Sequence, residues 1–118
     1  MLNKVYADVC ERLDWSVYEC EDGSVELETN SPAGEDFFVT VDAEDFVENV
    51  KAYAASFDQD EHIEMLVSAR RNGLSGVPSV RELVKDAEDI DKMLQELAAA
   101  LWDAQMAEER KRVYKKYG

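Results

Sequence analysis

The sequence predicts an α+β domain: an N-terminal helix, a three-stranded antiparallel meander, then three helices, the last one long. Three observations carry this prediction. Apolar residues near both ends of the chain recur at helical spacing, and those from Trp15 to Val41 fall in short runs separated by turn residues. No glycine or proline interrupts the chain between Ser79 and its final residue, Gly118. At 118 residues and 46% hydrophobic composition, a single domain can bury a core without metal or disulfide staples.

Leu2, Val5, Tyr6, Val9, Cys10 and Leu13 share one helical face, which predicts the first helix over residues 2 to 13. "WSVYEC" and "SVELET" flank Asp22-Gly23, a dipeptide suited to a two-residue type I′ turn. "NSPAGED" is loop chemistry, and "FFVTV" over 37 to 41 reads as the third strand. Phe46, Val47, Val50, Tyr53 and Ala54 then form the face of a helix reaching about Phe57. Asp58 followed by Glu61 opens another helix, faced by Ile63, Leu66, Val67 and Ala69 and ended by Gly73. After the connector "GLSGVPS", Ser79 and Glu82 form a capping box for the last helix.

In that helix Ala87, Ile90, Leu94, Leu97, Leu101 and Ala104 alternate steps of three and four residues. A helix of this length would span roughly 50 Å, so part of it should project beyond a small domain. Ile90, Leu94, Leu97 and Leu101 are therefore candidates for an oligomer seam, most simply with a second copy of the chain. The basic stretch 110–118, "RKRVYKKYG", is read as a tail following a domain at 1–109.

The formal charge is −14, and its distribution is uneven. Between Glu19 and Glu64 stand fifteen acids and one base, Lys51, whereas acids and bases cancel over the rest. Such a charge repels nucleic acid and anionic membranes, so direct binding to either is not expected. The start of the chain lacks an apolar h-region and no apolar run reaches membrane-spanning length; a cytoplasmic location is expected. Cys10 and Cys20 match no metal spacing and are expected as two buried free thiols.

Many of the acids crowd the starts of helices, where carboxylates complement the helix dipole. The hairpin needs a different account. A two-residue turn at Asp22-Gly23 would pair Glu21 with Ser24, Cys20 with Val25, Glu19 with Glu26 and Tyr18 with Leu27. Cys20, Val25, Tyr18 and Leu27 would then face the core, and Glu19, Glu21, Glu26 and Glu28 would share the other face. Placing Glu19 across from Glu26 is destabilising, and no lysine relieves it. The candidate partner-binding surface is thus Glu19, Glu21, Glu26, Glu28, Glu35, Asp36, Glu44, Asp45 and Glu48.

Catalytic and metal chemistry find little support. His62 is the single histidine, and "DQDEHIE" begins like a calcium loop but has Ile63 where that loop needs glycine. Paired carboxylates on an open sheet face lack the desolvation that separates their acidities for acid–base work. "GLSGVPS" lacks the lysine of a phosphate-binding loop. No catalytic residue, metal or cofactor is expected, and the chain is read as a non-enzyme.

"SPAGEDFFVTVDAEDFVENV" and "DEHIEMLVSARRNGLSGVPSVRELVKDAEDIDKMLQELAAAL" resemble small acidic proteins encoded on prophages and conjugative elements of gut bacteria. The likeness covers residues 15 to 101 and lies in overall pattern. It implies a mobile-element origin, a setting whose acidic proteins include antirestriction and anti-CRISPR proteins that imitate the charge of DNA. Two functional expectations result. One is an inhibitor or adaptor whose acidic surface occupies a basic site on a host nucleic-acid-binding or defence protein. The other is a homo-oligomeric interaction protein whose acids only solubilise it.

Overall fold

A computed structural model describes residues 2–32, 36–71 and 80–117. Its elements run α1 (Lys4–Arg12), β1 (Ser16–Glu19), β2 (Ser24–Asn30), β3 (Asp36–Asp42), α2 (Phe46–Ser56), α3 (Gln59–Arg71) and α4 (Val80–Tyr117). This is the expected α+β order. The sheet is an antiparallel meander, β1-β2-β3, with β2 central. Glu35 and the whole connector from Gly73 to the cap at Ser79 lie outside the described residues.

Strand alternation divides the sheet into two unlike faces. Val25, Leu27, Phe37 and Val39 are buried on the inner face, against Val9, Cys10, Phe46, Val47 and Val50 from α1 and α2. Trp15, 2% exposed, fills the corner after α1 and meets Phe37 edge-on at 6.2 Å. The Thr29 hydroxyl donates to the Asp14 carbonyl at 3.0 Å, fixing that corner to the central strand.

α4 packs against the other three helices. Leu83, Ala87, Ile90, Leu94, Leu97 and Leu101 are all buried, and their three-and-four spacing makes one continuous stripe. Gln95 Nε2 donates to the Ala54 carbonyl at 2.8 Å, while Gln59 Nε2 donates to Asp91 Oδ2 at 2.7 Å; these bonds fasten α2 and α3 to α4. The oligomer-seam expectation is corrected here. Ile90, Leu94, Leu97 and Leu101 are at most 1% exposed in the core of a single chain, so they offer nothing to a second one.

The expected projection is present. Thirty-eight helical residues span about 57 Å at the standard rise, and the molecule measures 61 × 29 × 22 Å. Its radius of gyration is 16.7 Å, against about 13.5 Å for a compact domain of this length. The basic tail is the end of this helix rather than a separate segment, with Arg110, Lys111 and Arg112 exposed on it.

Candidate functional site

The hairpin turn determines which side chains reach the outer sheet face, and it differs from the expected one. Glu21, Asp22 and Gly23 form a three-residue loop. The Cys20 N–H donates to the Ser24 carbonyl at 2.9 Å, and the Gly23 N–H donates to the Cys20 carbonyl at 3.2 Å. Gly23 has φ +89°, the left-handed conformation such a loop requires at its last position. Asp22 Oδ1 accepts from the Ser24 hydroxyl at 2.6 Å and from its N–H at 3.0 Å. These two bonds hold the exposed Asp22 carboxyl below the ordinary aspartate value. Asp-Gly predicts the turn correctly, but the backbone bond and the Asx contact to Ser24 lengthen it by one residue.

One added loop residue shifts the register by one and inverts every side chain of β1. Val17 lies opposite Leu27 and Glu19 opposite Val25, both on the inner side. Tyr18 lies opposite Glu26 and turns outward, 51% exposed. The expected pairing of Glu19 with Glu26 does not occur, which removes the like-charge opposition. The Glu19 carboxylate instead accepts the Leu2 N–H. Cys20 is exposed rather than buried. Of the four glutamates expected together, Glu26 and Glu28 stand on the outer face, Glu21 is in the loop and Glu19 has left the group.

β3 completes the outer face. Its register sets Phe38 opposite Glu28, Thr40 opposite Glu26, Asp36 opposite Asn30 and Asp42 opposite Ser24. Phe38 is 50% exposed. The middle of the face therefore holds Glu26 and Glu28, half-buried and about 6.7 Å apart along β2, with Tyr18 directly across from Glu26 and Phe38 directly across from Glu28. Asp36 and Asp42 mark its ends, and no lysine or arginine occurs on any of the three strands. Beside this face, Asp14, Ser16, Tyr18, Glu28, Thr29 and Asn30 line a shallow depression of about 350 Å³. The exposed aromatic was legible: two successive phenylalanines on a strand must take opposite faces. Tyr18 was not legible, because its direction depends on the turn.

Glu44, Asp45 and Glu48 are exposed around the start of α2, beyond the Asp42 end of the face. Asp45 does not cap the helix with its side chain; it sits in the left-handed region at φ 56°. Asn49 Nδ2 instead donates to the Asp42 and Glu44 carbonyls at 3.3 and 2.9 Å, tying the helix start to the strand end. Asp58 does cap α3, its Oδ1 accepting the Asp60 and Glu61 N–H groups at 2.9 and 3.2 Å.

A second feature lies where α2 meets α3. His62, 7% exposed, places Nε2 3.0 Å from Oδ2 of the buried Asp86, whose Oδ1 has no partner among the described residues. The imidazole packs against Phe37 and Phe57, with ring centroids 5.7 and 5.5 Å away. In front of it Tyr53, Ser56, Asp58, Glu61 and Met65 complete a cleft of about 390 Å³. Burial, and then the charge of Glu61, raise the Tyr53 hydroxyl above its ordinary value. The sequence shows His62 among acids; its partner, 24 residues away on another helix, has no local signature. Ser56 Oγ donates to the Tyr53 carbonyl at 3.0 Å, so this hydroxyl is engaged with its own helix rather than aimed at the imidazole.

Among the described residues no three His, Cys, Asp or Glu side chains are grouped to hold a metal ion. No described helix is long and apolar enough to cross a membrane. The fold and this face together define an α+β domain with an open, acidic and partly aromatic sheet surface. In comparisons with known proteins, no family model, curated protein or solved structure matches the chain.

Proposed function

We propose that this chain is a non-enzymatic binding protein whose outer sheet face engages a basic segment of a partner protein. The observation that carries the reading is the juxtaposition of Glu26 and Glu28 with the half-exposed rings of Tyr18 and Phe38, on strands without one basic residue. Carboxylates beside aromatic faces suit arginine, which takes a bidentate salt bridge and stacks on a ring. Lys51, the single base between Glu19 and Glu64, cannot neutralise the face. Its ammonium lies over the Trp102 ring, 3.6 Å from the centroid.

Charge density favours a peptide-like partner over imitation of duplex DNA. The outer face runs about 20 Å from Asp36 to Asp42 and carries four acids, Glu26, Glu28, Asp36 and Asp42. The same length of B-DNA carries about twelve charges. A host nucleic-acid-binding or defence protein remains the partner class proposed, since such proteins display basic segments. The mobile-element origin and cytoplasmic location belong to the same proposal and rest on sequence pattern.

The test is titration with an acetylated, amidated peptide of alternating arginine and valine, beside a control with serine in place of arginine. The arginine peptide is expected to bind, to weaken as salt rises, and to shift the Tyr18 and Phe38 ring resonances. Changing Glu26→Gln together with Glu28→Gln should weaken it about tenfold or more, whereas Asp8→Asn with Glu11→Gln should not. Equal binding of the serine peptide, or an unaffected Glu26/Glu28 double variant, would refute the reading.

A further inference from the structure

We infer that the free edge of β3 is a strand-addition site, where an extended basic segment of a partner protein pairs its backbone with Phe38 and Thr40 and sets alternate side chains into the groove along α2. The inference rests on the basic-partner reading and specifies how that partner is held.

The hydrogen-bond pattern identifies which backbone groups are available. β3 is an edge strand, and the Ala43 N–H donates to the carbonyl of Gly23, the residue just before β2. Register alternation from that bond directs the backbone groups of Phe37, Val39 and Val41 toward β2. Those of Phe38, Thr40 and Asp42 point away from the sheet. Asn49 already occupies the Asp42 carbonyl, so the open stretch centres on Phe38 and Thr40. Exposed edges are ordinarily blunted by lysine, proline, shortness or a covering element. β3 has seven residues, contains neither lysine nor proline, and pairs with no further strand among the described residues. The other edge, β1, is only four residues long, and the carboxylate at its end is taken by Leu2.

Space and charge match an added strand. Between β3 and α2 lies a groove of about 560 Å³, with Thr40, Val41 and Asp42 on one side and Ala52, Tyr53 and Ser56 on the other. Tyr53 and Ser56 also border the 390 Å³ cleft at the junction of α2 and α3, so the two spaces adjoin. Side chains of an extended peptide alternate. One set would enter this groove, where a lysine or arginine can reach Asp58 and Glu61; the other would lie beside Phe38 on the outer face. Among the described residues no base lines either space. Backbone pairing with pockets for alternate side chains is an established mode of peptide capture.

The experiment uses the full chain and the alternating arginine–valine peptide in three forms: unmodified, N-methylated at every valine, and N-methylated at every arginine. N-methylation keeps the charge and removes the hydrogen-bond donors of one strand edge. At least one methylated form is expected to bind about tenfold or more weakly than the parent. The parent should also slow amide exchange at Phe38 and Thr40. Thr40→Pro should weaken the parent similarly while leaving the fold intact by circular dichroism, because this N–H faces off the sheet. If both methylated forms bind as tightly as the parent and exchange at Phe38 and Thr40 is unchanged, strand addition is wrong while the basic-partner reading stands. If the parent binds no better than the serine control, that reading fails as well.

Discussion

Asp86 lies on α4 with 3% of its surface exposed, and its one described partner is the His62 ring 3.0 Å away. Asp86→Ala would leave Nε2 of His62 without a partner between the Phe37 and Phe57 rings. Stranding a buried polar group costs about 1–3 kcal/mol. Removing Oδ1, which has no partner among the described residues, offsets a little of that cost. A net loss of about 2 kcal/mol is expected. Unfolding entropy scales at about 2.1 cal/mol/K per residue, or about 0.25 kcal/mol/K here, so the melting temperature should fall by about 8 °C. The informative partner experiment is His62→Phe with Asp86→Leu, which replaces both groups by apolar ones. Because no donor or acceptor is then stranded, the double variant should lie within about 1 kcal/mol of the parent. Urea unfolding followed by far-UV circular dichroism, with an unchanged m value, gives both numbers. An Asp86→Ala loss below about 0.5 kcal/mol, or a double variant worse than both singles, would refute this account of the contact.

Two further outcomes follow from burial. Leu97 is 0% exposed, so Leu97→Ala should cost about 3–5 kcal/mol in urea unfolding; Leu94→Glu should unfold the chain rather than dissociate an oligomer, as light scattering with circular dichroism would show. Cys20 is exposed while burial pushes the Cys10 thiol up to about 12. Iodoacetamide should therefore modify one thiol in the native protein and both after unfolding, read by mass spectrometry. Folding favours the neutral Cys10 thiol, so its contribution to stability is present below the ordinary thiol value of 9.0 and is lost as pH rises toward 12.

Periodicity made the architecture legible, since each helix and strand buries one face and its sequence repeats accordingly. The stripe from Ala87 to Leu101 was legible for the same reason, but its destination was not. A heptad pattern looks the same whether the covering surface belongs to another chain or to α1, α2 and α3. At the candidate site, Glu26 and Glu28 were readable because β2 alternates strictly, with the buried Val25 and Leu27 preceding each in turn. Tyr18, Cys20 and Glu19 were misplaced because Asp-Gly serves both two- and three-residue loops. The choice rests on how Ser24 meets Asp22 and Cys20. The His62–Asp86 contact joins residues 24 positions apart, and only the packing of α3 on α4 brings them together.

The corrected register makes the acidic face a more selective surface than a uniform sheet of carboxylates would be. With Glu19 turned inward and Glu21 in the loop, the repulsion expected between facing glutamates is absent, and stability no longer argues against the acids that remain. Glu26 is now flanked by Tyr18 and Thr40, and Glu28 by Ser16 and Phe38. Both glutamates are half-buried residues on the central strand, each with an aromatic ring directly across from it. Nearby rings limit water on one side of each, which strengthens the attraction of any cation placed there. A lysine on a neighbouring strand would satisfy both glutamates internally, yet the strands carry none and Lys51 is held over Trp102. That combination supports a positive group supplied from outside the chain. The edge of β3, unpaired among the described residues and running beside the same face, offers such a group a backbone to align with.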